Sequence, residues 1–277
     1  MADHLNAVRI SGPDDGRVAE YRGLTDAALM RTRGLFVAEG RLLVQRLIED
    51  GRYTLRSVLL SDAAYRGLEA TLTALDAAAP IYLCEESDFL GLTGHDIHRG
   101  CLALAERPPE RTVRDLLMDA AGTFATLVLL EGVTNADNVG GVFRNAAAFG
   151  AGAVLLSPTC CDPLYRKAIR TSMAATLGLP FARVDPWPGG LEAIRAAGFT
   201  IVALSPRESA LSIDGFAVAP RPGRVALVVG TEGEGLTPAV EAAADVHVRI
   251  PIAPGVDSLN LAVAVGIALY RLSPRTG

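Results

Sequence analysis

Residues 250–266 read IPIAPGVDSLNLAVAVG: an apolar strand, a loop containing proline and glycine, and the start of a helix that is apolar on every face. A helix of that kind is normally buried, so its N-terminus is a poor place for polar side chains unless something there needs them. Ser258 and Asn260 stand at that point. Both residue types also make good helix N-caps, so this segment alone leaves a cap and a functional site equally open.

Two further segments have the same form. Residues 127–146 read LVLLEGVTNADNVGGVFRNA and residues 228–236 read VVGTEGEGL, and each begins with an apolar strand. The features that stand out are Asn138 with Arg144, the Gly-x-Glu-Gly-x-Gly of residues 230–235, and the Ser-Leu-Asn of residues 258–260. In this order, the three segments resemble the three signature motifs of the SpoU–TrmH RNA ribose methyltransferases, which belong to the knotted SPOUT class. The resemblance covers about half of the chain.

The resemblance implies a cofactor, S-adenosyl-L-methionine. Gly230, Ile250 and Leu259 match the positions at which the family binds it, largely through backbone groups. The glycines let backbone amides approach a ligand closely. The segment has neither the Lys-Ser/Thr of a phosphate-cradling loop nor the Gly-x-Gly-x-x-Gly of a dinucleotide site. Glu232 matches a polar residue of the family's site.

The resemblance also implies that Arg144 helps to activate a ribose 2′-hydroxyl. Because the pKa of arginine lies above about 12, it is a poor proton acceptor. We therefore expect its guanidinium fork to hold the adjacent phosphate and to stabilise the developing oxyanion. Asn138, Ser258 and Asn260 match positions that orient this arginine and line the site. We expect Asn138 just ahead of a helix and Arg144 in its second turn.

Composition limits the class of protein. The chain has 277 residues, of which 50% are hydrophobic and 21% charged, as is usual for a soluble enzyme. The net charge of −5 argues against indiscriminate nucleic-acid binding, although local basic patches still allow RNA. No apolar run is long enough to cross a bilayer, and residues 1–13 lack the apolar core of a signal peptide. We expect a cytoplasmic protein with no membrane partner.

Cysteine and histidine usage predicts no metal site. Cys160 and Cys161 are adjacent, which suits neither chelation nor a bridge within one domain, and Cys84 and Cys101 stand alone. We expect reduced thiols that pack as small hydrophobic groups. His95 and His98 have no acidic or thiol partner at metal-ligand spacing.

The chain divides at Arg107-Pro108-Pro109, because two prolines continue neither a helix nor a strand. We expect a polar lead-in (1–25), a small α/β domain (26–107) with helical periodicity over residues 35–48, a linker (108–122) and a catalytic domain (123–277). In the last part, apolar strands are expected at residues 127–130, 153–156, 200–204, 225–229 and 246–250, and helices at residues 140–149, 164–175, 191–197, 238–243 and 259–272. This alternation predicts a parallel sheet covered on both faces, with its sites at the carboxyl ends of the strands. The resemblance adds a trefoil knot to this α/β fold.

The first domain is similar to the RNA substrate-binding domain that precedes many SpoU–TrmH catalytic domains, on residues 36–41 (FVAEGR) and 98–105 (HRGCLALA). An ordinary α/β domain used for dimer contacts is the alternative. Candidate RNA contacts are Arg41 and a basic stretch with Arg166, Lys167 and Arg170. For the basic stretch, the alternative is an ordinary solvent-exposed helix face, and the sequence favours neither. The resemblance implies ribosomal RNA rather than transfer RNA as the target, and a homodimer formed through the catalytic domain and its apolar last helix.

Other classes of function remain to be separated from this one. A transfer RNA ribose methyltransferase differs only in its target. A non-catalytic RNA-binding relative is disfavoured by the intact Asn138, Arg144, Glu232, Ser258 and Asn260, and calorimetry with S-adenosylmethionine would separate it. A Rossmann-type dinucleotide enzyme is disfavoured by the missing glycine fingerprint.

Overall fold

The computed structural model describes residues 7–22, 25–93, 100–119, 125–218 and 222–273. The chain forms two compact units. The first consists of Met1–Pro109 together with Leu164–Ala174, and the second of Glu110–Pro163 together with Ala175–Gly277. The first unit therefore includes a short segment, Leu164–Ala174, that lies in the sequence between the two parts of the second unit.

The first unit is built on a mixed five-stranded sheet in the order β1-β4-β3-β5-β2. Its elements are β1 (Ala7–Arg9), a 3-10 helix (Gly16–Tyr21), α1 (Asp26–Arg33), β2 (Leu35–Glu39), α2 (Arg41–Asp50), β3 (Leu55–Ser61), α3 (Asp62–Leu72), β4 (Ile81–Cys84), α4 (Asp88–Thr93) and β5 (Cys101–Glu106). Strands β1 and β3 run parallel to β4, whereas β5 is antiparallel to both β3 and β2.

The segment expected to be a loose lead-in, residues 1–25, is part of this unit wherever it is described. Strand β1 pairs with β4, and the 3-10 helix buries Val18 and Tyr21 in the core. The Tyr21 hydroxyl lies 3.1 Å from the Ser57 carbonyl and 2.8 Å from its hydroxyl. The polar composition of the segment concealed these anchoring residues.

The predicted helix over residues 35–48 is instead a strand followed by a helix. All five residues of β2 are buried, and a short apolar run buried on both faces has the same pattern as a buried helix. Gly40 separates the two elements with a φ of +102°, a backbone conformation that favours glycine, and α2 begins at the next residue.

The rest of the chain continues with α5 (Val113–Asp119), β6 (Ala125–Leu130), α6 (Ala136–Ala148), β7 (Ala153–Leu156), α7 (Arg166–Thr171), α8 (Ala175–Gly178), β8 (Phe181–Arg183), α9 (Leu191–Ala196), β9 (Thr200–Leu204), β10 (Leu211–Ser212), α10 (Ile213–Val218), β11 (Arg224–Val229), α11 (Pro238–Ala243), β12 (Val246–Arg249) and α12 (Leu261–Leu272). Helix α5 lies in the stretch expected to be a linker, 108–122. It buries Leu116 in the same core cluster as Leu129 and Ile194, so this part of the linker belongs to the second unit.

The second unit carries a seven-stranded sheet in the order β10-β12-β9-β11-β6-β7-β8. Every neighbouring pair is parallel, as predicted, so all carboxyl ends lie at one edge. From β6 the chain proceeds through β7 and β8 on one side, and β9 to β12 lie on the other. The junction of β6 and β11 is therefore the point where strand order reverses, which is where open α/β sheets bind ligands.

The predicted helix over residues 164–175 is divided, and its first part belongs to the first unit. Helix α7 contacts β2, and Ala168 and Ile169 are fully buried. The Arg166 guanidinium pairs with Asp26 at 2.6 Å, and Arg170 pairs with the buried carboxylate of Glu39 at 3.2 Å. The segment is thus held by apolar contacts and by two ion pairs.

Replacing Ile169 with Asp should release this segment while the rest of the chain stays folded, because an unpaired charge is costly to bury. We expect trypsin to cleave after Arg166, Lys167 and Arg170 at least ~10-fold faster, since local opening controls such cleavage. Mass spectrometry of a digestion time course measures the rates. Cleavage after Arg183, whose guanidinium bonds the carbonyls of Ser157, Pro158 and Cys160, serves as the control. An equal increase there would mean global unfolding and would contradict the prediction.

Candidate functional site

The first two signature segments, residues 127–146 and 228–236, follow β6 and β11, the adjacent strands at which the strand order reverses. Leu130 of β6 is paired with Val229 of β11, so Glu131 and Gly230 are the next residues on adjacent strands. Both segments then continue into loops at the carboxyl edge. The third segment starts at Ile250, after β12, which β9 separates from β11.

A cluster of three polar side chains joins the three segments. The Nδ2 of Asn260 donates to Oδ1 of Asn138 at 3.0 Å and to Oε1 of Glu232 at 2.9 Å. The same Glu232 oxygen accepts the backbone N–H of Leu261 at 3.3 Å. The structure thus brings together three of the predicted site residues, and we call them the Asn-Glu-Asn cluster.

Asn260 is also the N-cap of α12. Its Oδ1 accepts the backbone N–H of Val263 at 3.2 Å, and the helix begins at Leu261 rather than at the predicted Leu259. The two interpretations that the sequence left open are therefore compatible, because one end of the amide caps the helix while the other binds the cluster. The Glu232 carboxylate lies where a helix N-terminus favours negative charge.

The loop between β11 and α11, residues 231–236, folds back on itself, and we call it the glycine loop. The Gly235 N–H donates to the Thr231 carbonyl at 3.1 Å. A Cβ on Gly230 would lie 2.1 Å from both the carbonyl carbon and the oxygen of Gly235. Gly230 is therefore required by the loop itself, and the close approach of a ligand to these glycines stays a prediction.

Arg144 and Ser258 lie apart from these hydrogen bonds. Helix α6 begins at Ala136, where Asn135 caps it by accepting the Asp137 N–H at 2.8 Å. Asn138 is therefore inside the first turn and Arg144 in the third, one turn later than expected. Both Arg144 and Ser258 are exposed, and within the described ranges neither makes a hydrogen bond or ion pair. Asn138 bonds Asn260, and its orienting role toward Arg144 stays a prediction.

Helix α6 is fixed against α12 beside the exposed arginine. The Asn145 amide donates to the Ala262 carbonyl at 2.6 Å. Because Arg144 immediately precedes Asn145, its position on the helix is set while its side chain stays in solvent.

The remaining predicted cofactor residues, Ile250 and Leu259, lie at the two ends of an exposed loop. This loop runs from the end of β12 to the Asn-Glu-Asn cluster. It presents the apolar side chains of Ile252 and Val256 to solvent, with exposures of 36% and 51%. These apolar side chains and the polar cluster are the two kinds of group that line sites for organic ligands.

Glu131 is a residue of this region to which the sequence assigned no role. It is only 6% exposed. Its carboxylate accepts the Trp187 indole N–H and both the hydroxyl and the backbone N–H of Thr237, each at 2.8 Å. The available signal was a carboxylate placed directly after the buried run of β6, since such a charge requires compensating partners.

The predicted RNA-contact residues lie in the first unit. Arg166 and Arg170 are engaged by Asp26 and Glu39, and Lys167 lies between them on α7. The Arg41 guanidinium lies against α3, where a Cβ on Gly67 would be 2.8 Å from its Nη1.

The first unit also has a cavity of about 510 Å³, which the sequence did not indicate. Its lining residues are Glu20, Arg33, Gly34, Leu35, Arg56, Glu106 and Arg107.

The thiols have the character expected of packed side chains. All four cysteines are free, and burial raises the pKa of both Cys84 and Cys101 to about 12. These two are therefore protonated at neutral pH.

The described part of the chain has no group of His, Cys, Asp and Glu able to hold a metal, and His95 and His98 lie outside it. None of the helices in the described ranges is long and apolar enough to span a membrane.

The fold and this site define an α/β protein of the parallel-sheet methyltransferase type. Residues 125–270 match the SpoU rRNA Methylase family, and the chain belongs to that family of RNA methyltransferases.

Relatives extend the similarity over both units. An uncharacterized tRNA/rRNA methyltransferase of Mycobacterium bovis is 36% identical over 273 residues, which cover 97% of this chain and 92% of the relative. An AdoMet-bound rRNA methyltransferase from Sinorhizobium meliloti is 25% identical, with a TM-score of 0.79 over 96% of this chain and 97% of the other. The structure of an RNA 2′-O ribose methyltransferase is 27% identical, with a TM-score of 0.77 over 96% and 98%.

Proposed function

We propose that this protein transfers a methyl group from S-adenosyl-L-methionine to a ribose 2′-hydroxyl of RNA, with ribosomal RNA as the target rather than transfer RNA. The observation that carries the proposal is the Asn-Glu-Asn cluster, which joins three segments of the chain where the strand order reverses. The 2′-O ribose methyltransferase of similar fold supports the reaction, and the Sinorhizobium rRNA methyltransferase supports the target.

The cofactor is S-adenosyl-L-methionine, and the residues present fit it. The glycine loop offers backbone groups, and the loop from Ile250 to Leu259 offers the exposed apolar side chains of Ile252 and Val256 for an adenine ring. We assign cofactor binding to Gly230, Ile250 and Leu259. When bound, the cofactor supplies an electrophilic methyl group on sulfur.

The roles of the other site residues follow from their chemistry. Arg144 is exposed beside the α6–α12 junction, where its guanidinium can hold the phosphate next to the target ribose. That contact would fix the ribose and stabilise negative charge on its 2′-oxygen. Asn138, Glu232 and Asn260 hold the loops that form the wall of the site, and Ser258 presents a free hydroxyl to it.

We assign RNA binding by the first unit to Arg41, Lys167 and Arg170, with Arg166 held in place by Asp26. Arg170 has 54% of its side chain exposed although it pairs with Glu39, so it can contact a backbone phosphate. In a methyl-transfer assay, Arg170→Ala should raise the KM for RNA with little change in kcat. A change in kcat alone would contradict this role.

A trefoil knot and a homodimer complete the proposal. The chain leaves β12 on the far side of β9, and α12 begins against residues that follow β6 and β11, a return that supports a threaded chain without requiring it. On α12, Val263, Ile267 and Tyr270 are exposed at 50%, 37% and 58%, with the spacing of one helical face. A second copy of the chain would cover this face, and a monomer in sedimentation at micromolar concentration would contradict it.

The product identifies the reaction. RNA incubated with the protein and S-adenosylmethionine should gain one alkali-resistant dinucleotide step, because a methylated 2′-oxygen no longer attacks the adjacent phosphate. Total RNA from cells with and without the gene should differ at that step in ribosomal RNA. A methyl label that stays with the free base after glycosidic cleavage would contradict ribose methylation, and label confined to transfer RNA would contradict the target.

A further inference from the structure

The carboxylate of Glu131 lies at the end of β6 and holds the far end of the glycine loop. Its two oxygens accept three hydrogen bonds at 2.8 Å, two of them from Thr237, which is the first residue after the loop. The third comes from the indole of Trp187, which packs against the core. We infer that Glu131 is a positioning residue that sets the affinity of the glycine loop for the cofactor, an inference that rests on the proposed function.

The two ends of the loop are fixed by different means. At the upstream end, Gly230 continues β11 directly and leaves no room beside Gly235. At the downstream end, Thr237 is exposed and caps α11 by accepting the Val240 N–H at 3.4 Å. Val240 of α11 is buried in the core cluster, and Glu131 adds the direct side-chain link from Thr237 to the end of β6.

A second carboxylate, Glu232, belongs to the loop itself. Glu232 joins the loop to Asn260 and to the start of α12. Glu131 fixes the residue after the loop and Glu232 fixes its first part, so the loop is held between β6 and α12. Loss of the buried link should let the loop shift by small amounts without unfolding, and pre-organised binding loops lose affinity when their supports are removed.

The neutral analogue Glu131→Gln tests the charge and the hydrogen bonds with almost no change in shape. All three partner groups can donate, two of them only as N–H groups bonded to different oxygens. In either orientation the amide NH₂ faces one of these N–H groups, so one bond is lost. Glu131→Ala removes all three bonds, and Thr237→Val keeps the carboxylate but removes the hydroxyl.

The experiment measures S-adenosylmethionine affinity by calorimetry on the full chain, together with the KM and kcat of methyl transfer. We expect Glu131→Gln and Glu131→Ala to weaken binding at least ~10-fold and to raise the cofactor KM more than they lower kcat, with Thr237→Val intermediate. Ile194→Val serves as the control for stability, because Ile194 lies on α9 in the core cluster against which Trp187 packs. It should lower the melting temperature and leave the affinity unchanged.

Three outcomes would overturn the inference. They are wild-type affinity in Glu131→Ala, wild-type affinity in Thr237→Val, or an equal loss in Ile194→Val, which would show that affinity only follows stability. If Glu131→Ala does not fold, Glu131→Gln decides, because it keeps the cap that Thr237 makes on Val240, and wild-type affinity there would overturn the inference. A wild-type chain that fails to bind S-adenosylmethionine would contradict the proposed function as well, and this result is distinct from a variant that binds normally.

Discussion

Replacing Arg144 with Ala should reduce methyl transfer about 10²–10³-fold, the usual loss when one group that stabilises a developing negative charge is removed. The affinity for S-adenosylmethionine should stay within about threefold of wild type, because an interaction made only with the reacting ribose and phosphate affects turnover and not cofactor binding. Arg144 is exposed and makes no ion pair or hydrogen bond with the described residues, so its removal leaves no buried partner unsatisfied. Stability should change by less than about 0.5 kcal/mol, as for most surface substitutions.

Two further variants define the result. Arg144→Lys keeps the charge but loses the planar fork, so we expect partial activity. Arg114→Ala, an exposed arginine on α5 in the same unit, should leave turnover unchanged. Single-turnover kinetics separates the chemical step from binding. Wild-type turnover in Arg144→Ala would show that the catalytic assignment is wrong.

The elements that the sequence predicted well are those with an unambiguous pattern. Strands β7 and β9 have the predicted bounds, because each is a short, mainly aliphatic run that closely follows a glycine, Gly152 or Gly198. The sequence pattern does not indicate strands β8 and β10, since three and two residues are too few to show periodicity. Strand β2 lies inside the predicted helix, because burial on both faces removes the alternation that identifies a strand.

The start of α6 shows why element bounds were less certain than element types. Four residues that favour N-caps, Thr134, Asn135, Asp137 and Asn138, precede the apolar part of this helix. The sequence did not identify which of them caps the helix, and the predicted start at Gly140 was late. That difference moved Arg144 from the second turn to the third.

The site itself was predictable only in part. Family resemblance identified Asn138, Glu232 and Asn260, and the structure joins them by hydrogen bonds. The partners of Glu131, in contrast, lie 56 and 106 residues away along the chain. No local pattern reports contacts of that range, because they depend on how the strands are ordered in the sheet. Trp187 and Thr237 could be recognised only once the order was known.

Replacing Gly230 with Ala should abolish useful cofactor binding, through the shape of the loop and not through a direct clash with the ligand. The added Cβ would lie 2.1 Å from the Gly235 carbonyl and 2.5 Å from the Leu236 nitrogen, distances that backbone atoms do not tolerate. The glycine loop must move away, which separates Glu232 from Asn260. We expect a loss of S-adenosylmethionine affinity of at least about 100-fold, equivalent to about 2.7 kcal/mol.

The stability of the same variant should also fall, by about 1–3 kcal/mol, as is usual when a tightly packed site is overfilled. Gly233→Ala is the matched control in the same loop. Gly233 has a φ of +88° but no neighbouring atom within 4 Å of an added Cβ, so that variant bears backbone strain without a clash. Its strain should cost about 1 kcal/mol, and its affinity should fall less than about tenfold. Calorimetric titration at a temperature well below both melting points compares the two variants. Equal losses of affinity in both variants would mean that the backbone flexibility of the glycine loop, and not the close approach of residues 230 and 235, determines cofactor binding.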